Sequence, residues 1–124
     1  MLDNEILLDT GTNEFEIIEF FIDEVDGGDD DRDYFGINVA KVLEVVEAPK
    51  GLEAAEGAPH PSYLGTMSLR DIILPVIDLA VWLDIERKKS EFELIVVTEI
   101  NNVITGFLVS GVTQIHRIGW GDLK

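Results

Sequence analysis

The cysteine, histidine and serine patterns that mark nucleophilic catalysis or metal binding are absent from this chain, and its carboxylates are too plentiful for any pair to indicate acid-base catalysis. It has no cysteine, which excludes thiolate nucleophiles and cysteine-ligated zinc. Its two histidines are His60, between two prolines, and His116, in a β-branched stretch, and they form no His-Glu-x-x-His pattern. No serine lies in a Gly-x-Ser-x-Gly elbow, and no glycine-rich phosphate loop is present. The sequence therefore predicts no catalytic residues, no metal site and no cofactor.

Closely spaced aspartates raise one further chemistry, calcium binding. Asp29, Asp31 and Asp33 alternate as the first three ligands of an EF-hand loop do. The pattern then fails, because Tyr34 occupies the position of the required glycine and Ala40 the position of the bidentate glutamate. Strand-like stretches flank the acidic run, which favours a solvated hairpin tip over a calcium site.

The overall charge excludes some classes of partner. With 25 acidic and 9 basic residues the net charge is −16, so duplex nucleic acid is not expected as a partner. Residues 1–33 hold 13 of the acids and one base. No basic segment precedes the short apolar run Ile6–Leu8, and no 18-residue apolar run occurs, so neither a signal peptide nor a membrane-spanning helix is predicted. The length fits one soluble domain, residues 1–124.

Short stretches rich in β-branched and aromatic residues dominate the chain and predict an all-β fold. The predicted strands are residues 15–22, 34–37, 42–47, 65–70, 72–77, 92–100, 103–109 and 112–118. Many short strands at close spacing are typical of small barrels or sandwiches. Residues 48–63, with three of the four prolines, predict a surface connector.

Turn and cap residues join these strands. Asn101-Asn102 predicts a tight hairpin turn, since asparagine tolerates positive φ. Asn38 can cap a turn at residues 39–41, and Asp78 can cap a short helix, Leu79–Leu83. Leu79, Trp82 and Leu83 share one face of that helix, which is expected to plug a barrel end. Pro75 predicts an edge or bulge position for its strand.

Several segments, read in order, resemble the CheW-like domain of bacterial chemotaxis. They are Phe35-Gly36-Ile37-Asn38-Val39, Lys41-Val42, Gly65 to Arg70, Ile73 to Leu79, and Gly106 to Val112. Leu7 to Phe20 and Ile118-Gly119-Trp120 more closely resemble the CheW-like half of CheV. The resemblance covers most of the chain and implies two small, intertwined five-stranded β-barrels with a short helix.

The resemblance also implies a function. Members of this family are non-enzymatic cytoplasmic adaptors that couple the cytoplasmic tips of chemoreceptors to the regulatory domain of the histidine kinase CheA, without inserting into the membrane. Two alternatives stay open at this point: an uncharacterised β-barrel enzyme, and a homo-oligomeric β domain without chemotaxis partners. The acidic stretch Asp23–Asp33 matches no family motif and is interpreted as a solubilising loop rather than a steering element.

The sequence departs from the family pattern in two places. Asp71 follows Arg70 where the family usually has glycine, which predicts an aspartate in a left-handed turn. The chain ends at Lys124, whereas the family continues through a further hairpin and a closing helix. We therefore expect the fold to be incomplete at its C-terminus, and a homodimer or strand swap to cover the exposed edges.

The resemblance nominates two sets of binding residues. The receptor-binding set is Val42, Glu44, Val45, Gly65 and Arg70, and the kinase-binding set is Ile37 and Val39. Each has an alternative interpretation from its residue type. Arg70 can meet a receptor carboxylate or pair internally with Glu44, the valines and Ile37 can belong to the core, and Gly65 can serve backbone geometry.

Overall fold

A computed structural model of the protein describes residues 14–25, 32–50, 52 and 56–119. Its elements in chain order are β1 (Glu14–Asp23), β2 (Arg32–Asn38), a 3₁₀ turn (Val39–Lys41), β3 (Val42–Glu47), β4 (Tyr63–Leu69), β5 (Ile72–Asp78), α1 (Leu79–Trp82), β6 (Leu94–Ile100), β7 (Val103–Val109) and β8 (Gly111–Gly119). This content confirms the predicted all-β class with a short helix. No helix within these ranges is long and apolar enough to cross a bilayer.

Three strands form the first sheet, in the order β2-β1-β8, with antiparallel pairing throughout. Strands β1 and β2 form the predicted hairpin, in which Phe20 lies opposite Phe35 and their ring centroids are 5.7 Å apart. The tip of this hairpin, residues 26–31, lies outside the described residues, and so do Asp29 and Asp31 of the calcium-like pattern.

Five strands form the second sheet, in the order β3-β6-β7-β5-β4. Its neighbours are antiparallel except for β5 and β7, which run parallel and are connected through α1 and β6. As a result, β3, β5 and β7 all begin at the end of the sheet where β4 and β6 finish. We call this the Arg70 end, because the Arg70-Asp71 turn lies there.

Two apolar cores lie on opposite faces of the five-stranded sheet. The curled-sheet core consists of the buried residues Leu74, Val76, Ile95, Val97 and Leu108, with side chains of β3 and β4 packed against it. The inter-sheet core, Phe20, Val96 and Val109, lies between the two sheets. Consecutive residues of β6 alternate between the cores because successive strand side chains point to opposite faces. Because β6 contributes to a core on each side of the sheet, it is apolar on both faces.

The chain passes from the first sheet to the second and back. β1 and β2 belong to the three-stranded sheet, β3 to β7 form the five-stranded one, and β8 returns to pair with β1. This interleaving agrees with the two intertwined subdomains expected from the resemblance. One sheet has the expected five strands, and the other has three within the described ranges, where neither sheet is assigned as a closed barrel.

The predicted turns and caps are confirmed. Asn101 and Asn102 have φ values of 52° and 67°, which give the tight hairpin between β6 and β7. The side chain of Asn38 accepts a hydrogen bond from Ala40 N at 2.8 Å, and that of Asp78 accepts one from Ala80 N at 3.1 Å. These elements were predictable because the residue type itself supplies the required conformation or acceptor.

The predicted role of the helix is wrong. The buried residue of α1 is Ala80, and only Leu79 packs against the inter-sheet core. Trp82 and Leu83 are 59% and 40% exposed, so most of the apolar face that was expected to plug a barrel points outward. A four-residue helix inserts only one side of its single turn into the fold, and here that side carries the smallest residue.

Two details of the strands also differ from the prediction. β6 begins at Leu94 rather than at Phe92, whose side chain is 79% exposed. Pro75 lies on β5, which is an interior strand of the sheet, although β5 pairs with β7 only from Val76 to Asp78. The bulge interpretation fits better, because the β4–β5 register shifts between Tyr63 and Thr66, and Thr66 is the partner of Pro75.

Candidate functional site

An ion pair at the Arg70 end joins two predicted site residues. Arg70 Nη1 lies 3.1 Å from Glu44 Oε1, and Nη2 donates to Glu44 Oε2 at 3.2 Å. The guanidinium therefore meets the carboxylate as a two-pronged fork. The Arg70 side chain is 77% exposed and that of Glu44 26% exposed, so water and a binding partner can both reach the pair.

This contact shows how strongly the sheet curls. Glu44 lies on β3, and Arg70 follows β4, the two strands at opposite edges of the five-stranded sheet. In a flat sheet four strand spacings would separate these edges by roughly 19 Å, which is farther than the two side chains can bridge. The edges therefore approach each other at the Arg70 end, and the ion pair spans the gap between them.

A β-bulge decides which residues of β3 face which way. Val42 pairs with Thr98 and Glu44 with Val97, so Leu43 is an extra residue in the ladder. The bulge resets the alternation of the strand, so that Val42 and Val45 both pack against the inter-sheet core while Val46 reaches the curled-sheet core. Simple alternation would have placed Val42 and Glu44 on the same face.

Exposed apolar side chains lie at the same end of the sheet as the ion pair. They are Leu43, Ile72, Ile73, Ile100 and Val103, each at or next to a strand terminus of the Arg70 end. Ile73 is the most exposed of the five, at 72%. An apolar surface with a charged pair at its border has the composition of a protein-binding site. The sequence analysis did not find these residues, because their position at one end depends on the parallel pairing of β5 with β7.

The other predicted site residues lie elsewhere. Val42, Val45 and Ile37 pack in or against the inter-sheet core, as their core interpretation expected. Val39 begins the 3₁₀ turn that leads into β3 and is partly buried. Gly65 has φ of 99° within the irregular part of the β4–β5 ladder, and a Cβ there would meet no atom within 4 Å, so backbone geometry explains the glycine.

A second arginine, which the sequence analysis missed, forms a buried network at the opposite end of the sheet. Arg87 binds the Asp78 carboxylate at 3.0 Å and also contacts the carboxylate of Glu93. The Arg87 and Asp78 side chains are each 7% exposed. Since Asp78 caps α1 and Glu93 precedes β6, Arg87 connects the start of α1 with the start of β6. We call this group the Arg87 network.

The Arg87 segment also holds the two sheets together. Lys88 N donates to Asp23 O at 2.8 Å, and Val25 N donates to Glu86 O at 2.9 Å, which pairs the end of β1 with the segment after α1. Ser110 adds a further link, because its backbone N–H donates to Phe21 O at 3.0 Å. At the end opposite to Arg70, backbone hydrogen bonds therefore connect the two sheets.

A polar cluster on the three-stranded sheet changes one ionisation equilibrium. Thr113 Oγ1 donates to Glu19 Oε1 at 2.6 Å, and His116 Nε2 lies 3.3 Å from Glu19 Oε2. The hydrogen bond from Thr113, supported by His116, lowers the pKa of Glu19 below its ordinary value of 4.5. The cluster connects β1 with β8 at the position where their register shifts. These contacts between Glu19 of β1 and the two β8 side chains help to hold the strands together, so we interpret the cluster as structural rather than catalytic.

Comparison with known proteins adds independent information. A family model described as the CheW-like domain matches residues 28–124. Chemotaxis protein CheV3 of Helicobacter pylori is 36% identical over 118 residues, which cover 94% of this chain and 37% of that protein. A probable chemotaxis protein CheW of Rhizobium etli is 33% identical over 87 residues, which cover 68% of this chain and 54% of that protein.

A solved structure has the same fold. The crystal structure of the scaffolding protein TtCheW from Thermoanaerobacter tengcongensis superposes with a TM-score of 0.69 at 24% sequence identity, covering 89% of this chain and 69% of that one. The chain spans between about a third and about half of the length of the two curated relatives it matches. The family match over most of the sequence, together with the interleaved sheets, places this chain in the CheW-like domain family.

Proposed function

We propose that this domain is a cytoplasmic, non-enzymatic adaptor of bacterial chemotaxis, which couples chemoreceptor tips to the regulatory domain of the kinase CheA. The observation that carries the proposal is the family match over residues 28–124. The names of the relatives, two chemotaxis proteins and one scaffolding protein, support it. The generic homo-oligomeric domain is less favoured, because it would not explain this likeness.

We place receptor binding at the Arg70 end. The Glu44–Arg70 fork is accessible, and exposed apolar side chains such as Ile73 and Leu43 lie at the same end. A receptor carboxylate can take the place of Glu44 on the guanidinium while apolar receptor side chains cover the surrounding surface. Exchange of one carboxylate for another keeps the Arg70 guanidinium paired, and the displaced Glu44 carboxylate is then solvated at the border of the surface.

The remaining residues of the receptor set act through position in this proposal. Val42 and Val45 anchor β3 on the inter-sheet core, and the bulge between them turns Glu44 toward Arg70. Gly65 permits the irregular stretch of β4 that precedes the Arg70 turn. These three residues thus hold the ion pair in place rather than touch the receptor.

We place kinase binding at the 3₁₀ turn. Val39 is partly buried in this turn, and Ile37 just before it packs against the inter-sheet core. The turn is capped by Asn38, which keeps its conformation defined without a partner. A kinase surface would contact the outer side of the turn, while Ile37 sets its position from within.

A binding experiment with matched variants tests the proposal. Wild type, Arg70→Ala and Arg117→Ala are each titrated calorimetrically against a chemoreceptor cytoplasmic tip and, separately, against the CheA regulatory domain. Arg117 is the control because it is also exposed, at 68%, and also faces a glutamate, Glu16, at 3.7 Å. We expect Arg70→Ala to weaken receptor binding by about tenfold, equivalent to ~1.4 kcal/mol, and to leave kinase binding unchanged.

The outcomes separate the function from the site. Absence of binding to both partners by the wild-type chain would contradict the adaptor function. Equal losses in Arg70→Ala and Arg117→Ala would support the adaptor function but contradict the placement of the receptor surface at the Arg70 end, since a general charge effect does not distinguish two exposed arginines.

A further inference from the structure

The outward face of α1 is an exposed apolar patch that the proposed adaptor surfaces do not use. Val81, Trp82 and Leu83 are 38%, 59% and 40% exposed. α1 follows the last residue of β5, whereas the Arg70 turn precedes the first, so the patch lies at the opposite end of the sheet. A tryptophan this exposed is uncommon on a folded surface, and tryptophan is enriched where proteins bind one another.

The start of α1 is held by side-chain and backbone hydrogen bonds. Asp78 caps α1 and is itself held by the buried Arg87, and its backbone N–H donates to Ser62 O at 2.7 Å. Ser62 is fully buried. These bonds fix the start of the helix to the connector before β4, so little conformational entropy remains to be lost around Trp82 on binding.

One ring neighbour supports Trp82 from the side. The ring centroids of His60 and Trp82 are 5.0 Å apart, with an interplanar angle of 54°. Ser62 N donates to His60 Nδ1 at 3.1 Å, which orients the imidazole and assigns Nδ1 as an acceptor. Pro59 and Pro61 on either side of His60 are exposed. The indole is therefore held in place while most of its surface stays open to water.

The charged residue next to the patch along the chain is an acid. Asp84 directly follows Leu83 and is exposed, whereas the lysines of this segment, Lys88 and Lys89, come after Arg87, where Lys88 N pairs with β1. The chain as a whole carries a net charge of −16. Asp84 N donates to Val81 O at 3.1 Å, and the positive φ of Asp84, 63°, ends the helical turn directly after Leu83. An exposed indole next to a carboxylate suits a cation, which can lie on the ring face and pair with the acid.

We propose that the α1 patch, formed by His60, Val81, Trp82, Leu83 and Asp84, docks an apolar segment of a partner protein that carries arginine or lysine. The apolar side chains of the segment cover Val81 and Leu83, and its cation stacks on Trp82 and pairs with Asp84. Charge decides the class of occupant, since both Asp84 beside Leu83 and the net charge of −16 favour a cationic segment over an acidic one. This surface is independent of the Arg70 end.

A peptide-display selection tests this inference directly. Short random peptides are selected on the wild-type chain and counter-selected on Trp82→Ala, and the enriched peptides are titrated by calorimetry. We expect arginine or lysine beside apolar residues in the enriched peptides. We also expect affinity to fall by about tenfold in Trp82→Ala and about threefold in Asp84→Asn, and to fall as salt is raised.

Controls keep the result interpretable. Arg70→Ala should bind the same peptides as wild type, which separates this patch from the receptor surface. Far-UV circular dichroism should show that Trp82→Ala is folded, because most of the Trp82 side chain lies in solvent. Enrichment of neutral or acidic peptides, failure to enrich any peptide that depends on Trp82, or a wild-type dimer that Trp82→Ala dissociates would each overturn the proposal.

Discussion

The two ends of the five-stranded sheet use the same chemistry for opposite purposes. At one end the Arg70 guanidinium meets Glu44 on the surface, with 77% of the arginine side chain exposed. At the other end Arg87 meets Asp78 and Glu93 with only 7% exposed. Both are arginine–carboxylate pairs, yet water screens the first and is excluded from the second.

The difference shows which pair can exchange partners. A buried pair cannot release one member without leaving an unpaired charge away from water, so the Arg87 network is confined to a structural role. Opening an exposed pair costs little free energy, because water solvates both charges, so Arg70 can accept a different carboxylate. The domain thus combines one end at which a buried network and hydrogen bonds connect the two sheets with another end whose ion pair is accessible to a partner.

The largest effect is expected at the buried end. Replacement of Arg87 by methionine leaves the carboxylates of Asp78 and Glu93 without their cation and should lower the free energy of unfolding by about 3–5 kcal/mol. Urea denaturation followed by circular dichroism measures the change, with Arg70→Met as the matched exposed control. A loss of less than about 1 kcal/mol in Arg87→Met would remove the distinction between the two ends.

A smaller effect of opposite sign is expected at the Arg70 turn. Arg70 and Asp71 have φ values of 47° and 69°, a left-handed conformation in which glycine is less strained than aspartate. Asp71→Gly should therefore raise the free energy of unfolding by about 0.5–1 kcal/mol while the ion pair is retained. Asn102→Gly, at the matching position of the β6–β7 turn, should give a smaller gain, because asparagine tolerates this region better. Destabilisation in Asp71→Gly would show that its side chain supports the turn.

The exposed ion pair itself should contribute little. A double-mutant cycle with Arg70→Ala and Glu44→Ala should give a coupling free energy of about 0.2–1 kcal/mol in urea denaturation, and the coupling should decrease in high salt. A coupling of several kcal/mol, unaffected by salt, would indicate that closure of the sheet edges depends on this pair and that it is not free to exchange.

The smallest effect concerns the three-stranded sheet at low pH. Because folding lowers the pKa of Glu19, the ionised carboxylate stabilises the folded state fully above about pH 4.5, and this stabilisation is lost as the pH falls through the lowered value. Thr113→Val removes the main cause and should reduce the loss of thermal stability on acidification. Thr66→Val, an exposed threonine of the other sheet, serves as control. If Thr113→Val lost as much thermal stability on acidification as the wild type, the hydrogen bond from Thr113 would not be the cause of the lowered pKa of Glu19.

Local structure was largely predictable where one residue type supplies the determining interaction. The turn at Asn101-Asn102 and the caps at Asn38 and Asp78 appeared where the sequence placed them, because positive φ and side-chain acceptors are properties of those residues. The helix face around Trp82 was misassigned, since periodicity shows which side chains share a face but not which face the rest of the chain covers.

The candidate site was only partly predictable. Glu44 and Arg70 were both named from the sequence, and their pairing was one of the interpretations considered. The exposed residues around them, Ile73 above all, were missed, and so was Arg87. Their roles depend on strand order and on which acids the fold brings near, and neither follows from the spacing of residues along the chain.

The all-β class, the hairpins, the two caps and the family all followed from the amino-acid sequence alone. Turn residues and β-branched composition act locally, and the order of the family motifs can be read directly along the chain. Whether each arginine is exposed or buried, in contrast, depended on the folded arrangement. The curl of the sheet brought Glu44 across to Arg70 in open solvent, and the segment after α1 buried Arg87 between two carboxylates. Burial sets the strength of an ion pair, and burial is a property of the whole fold.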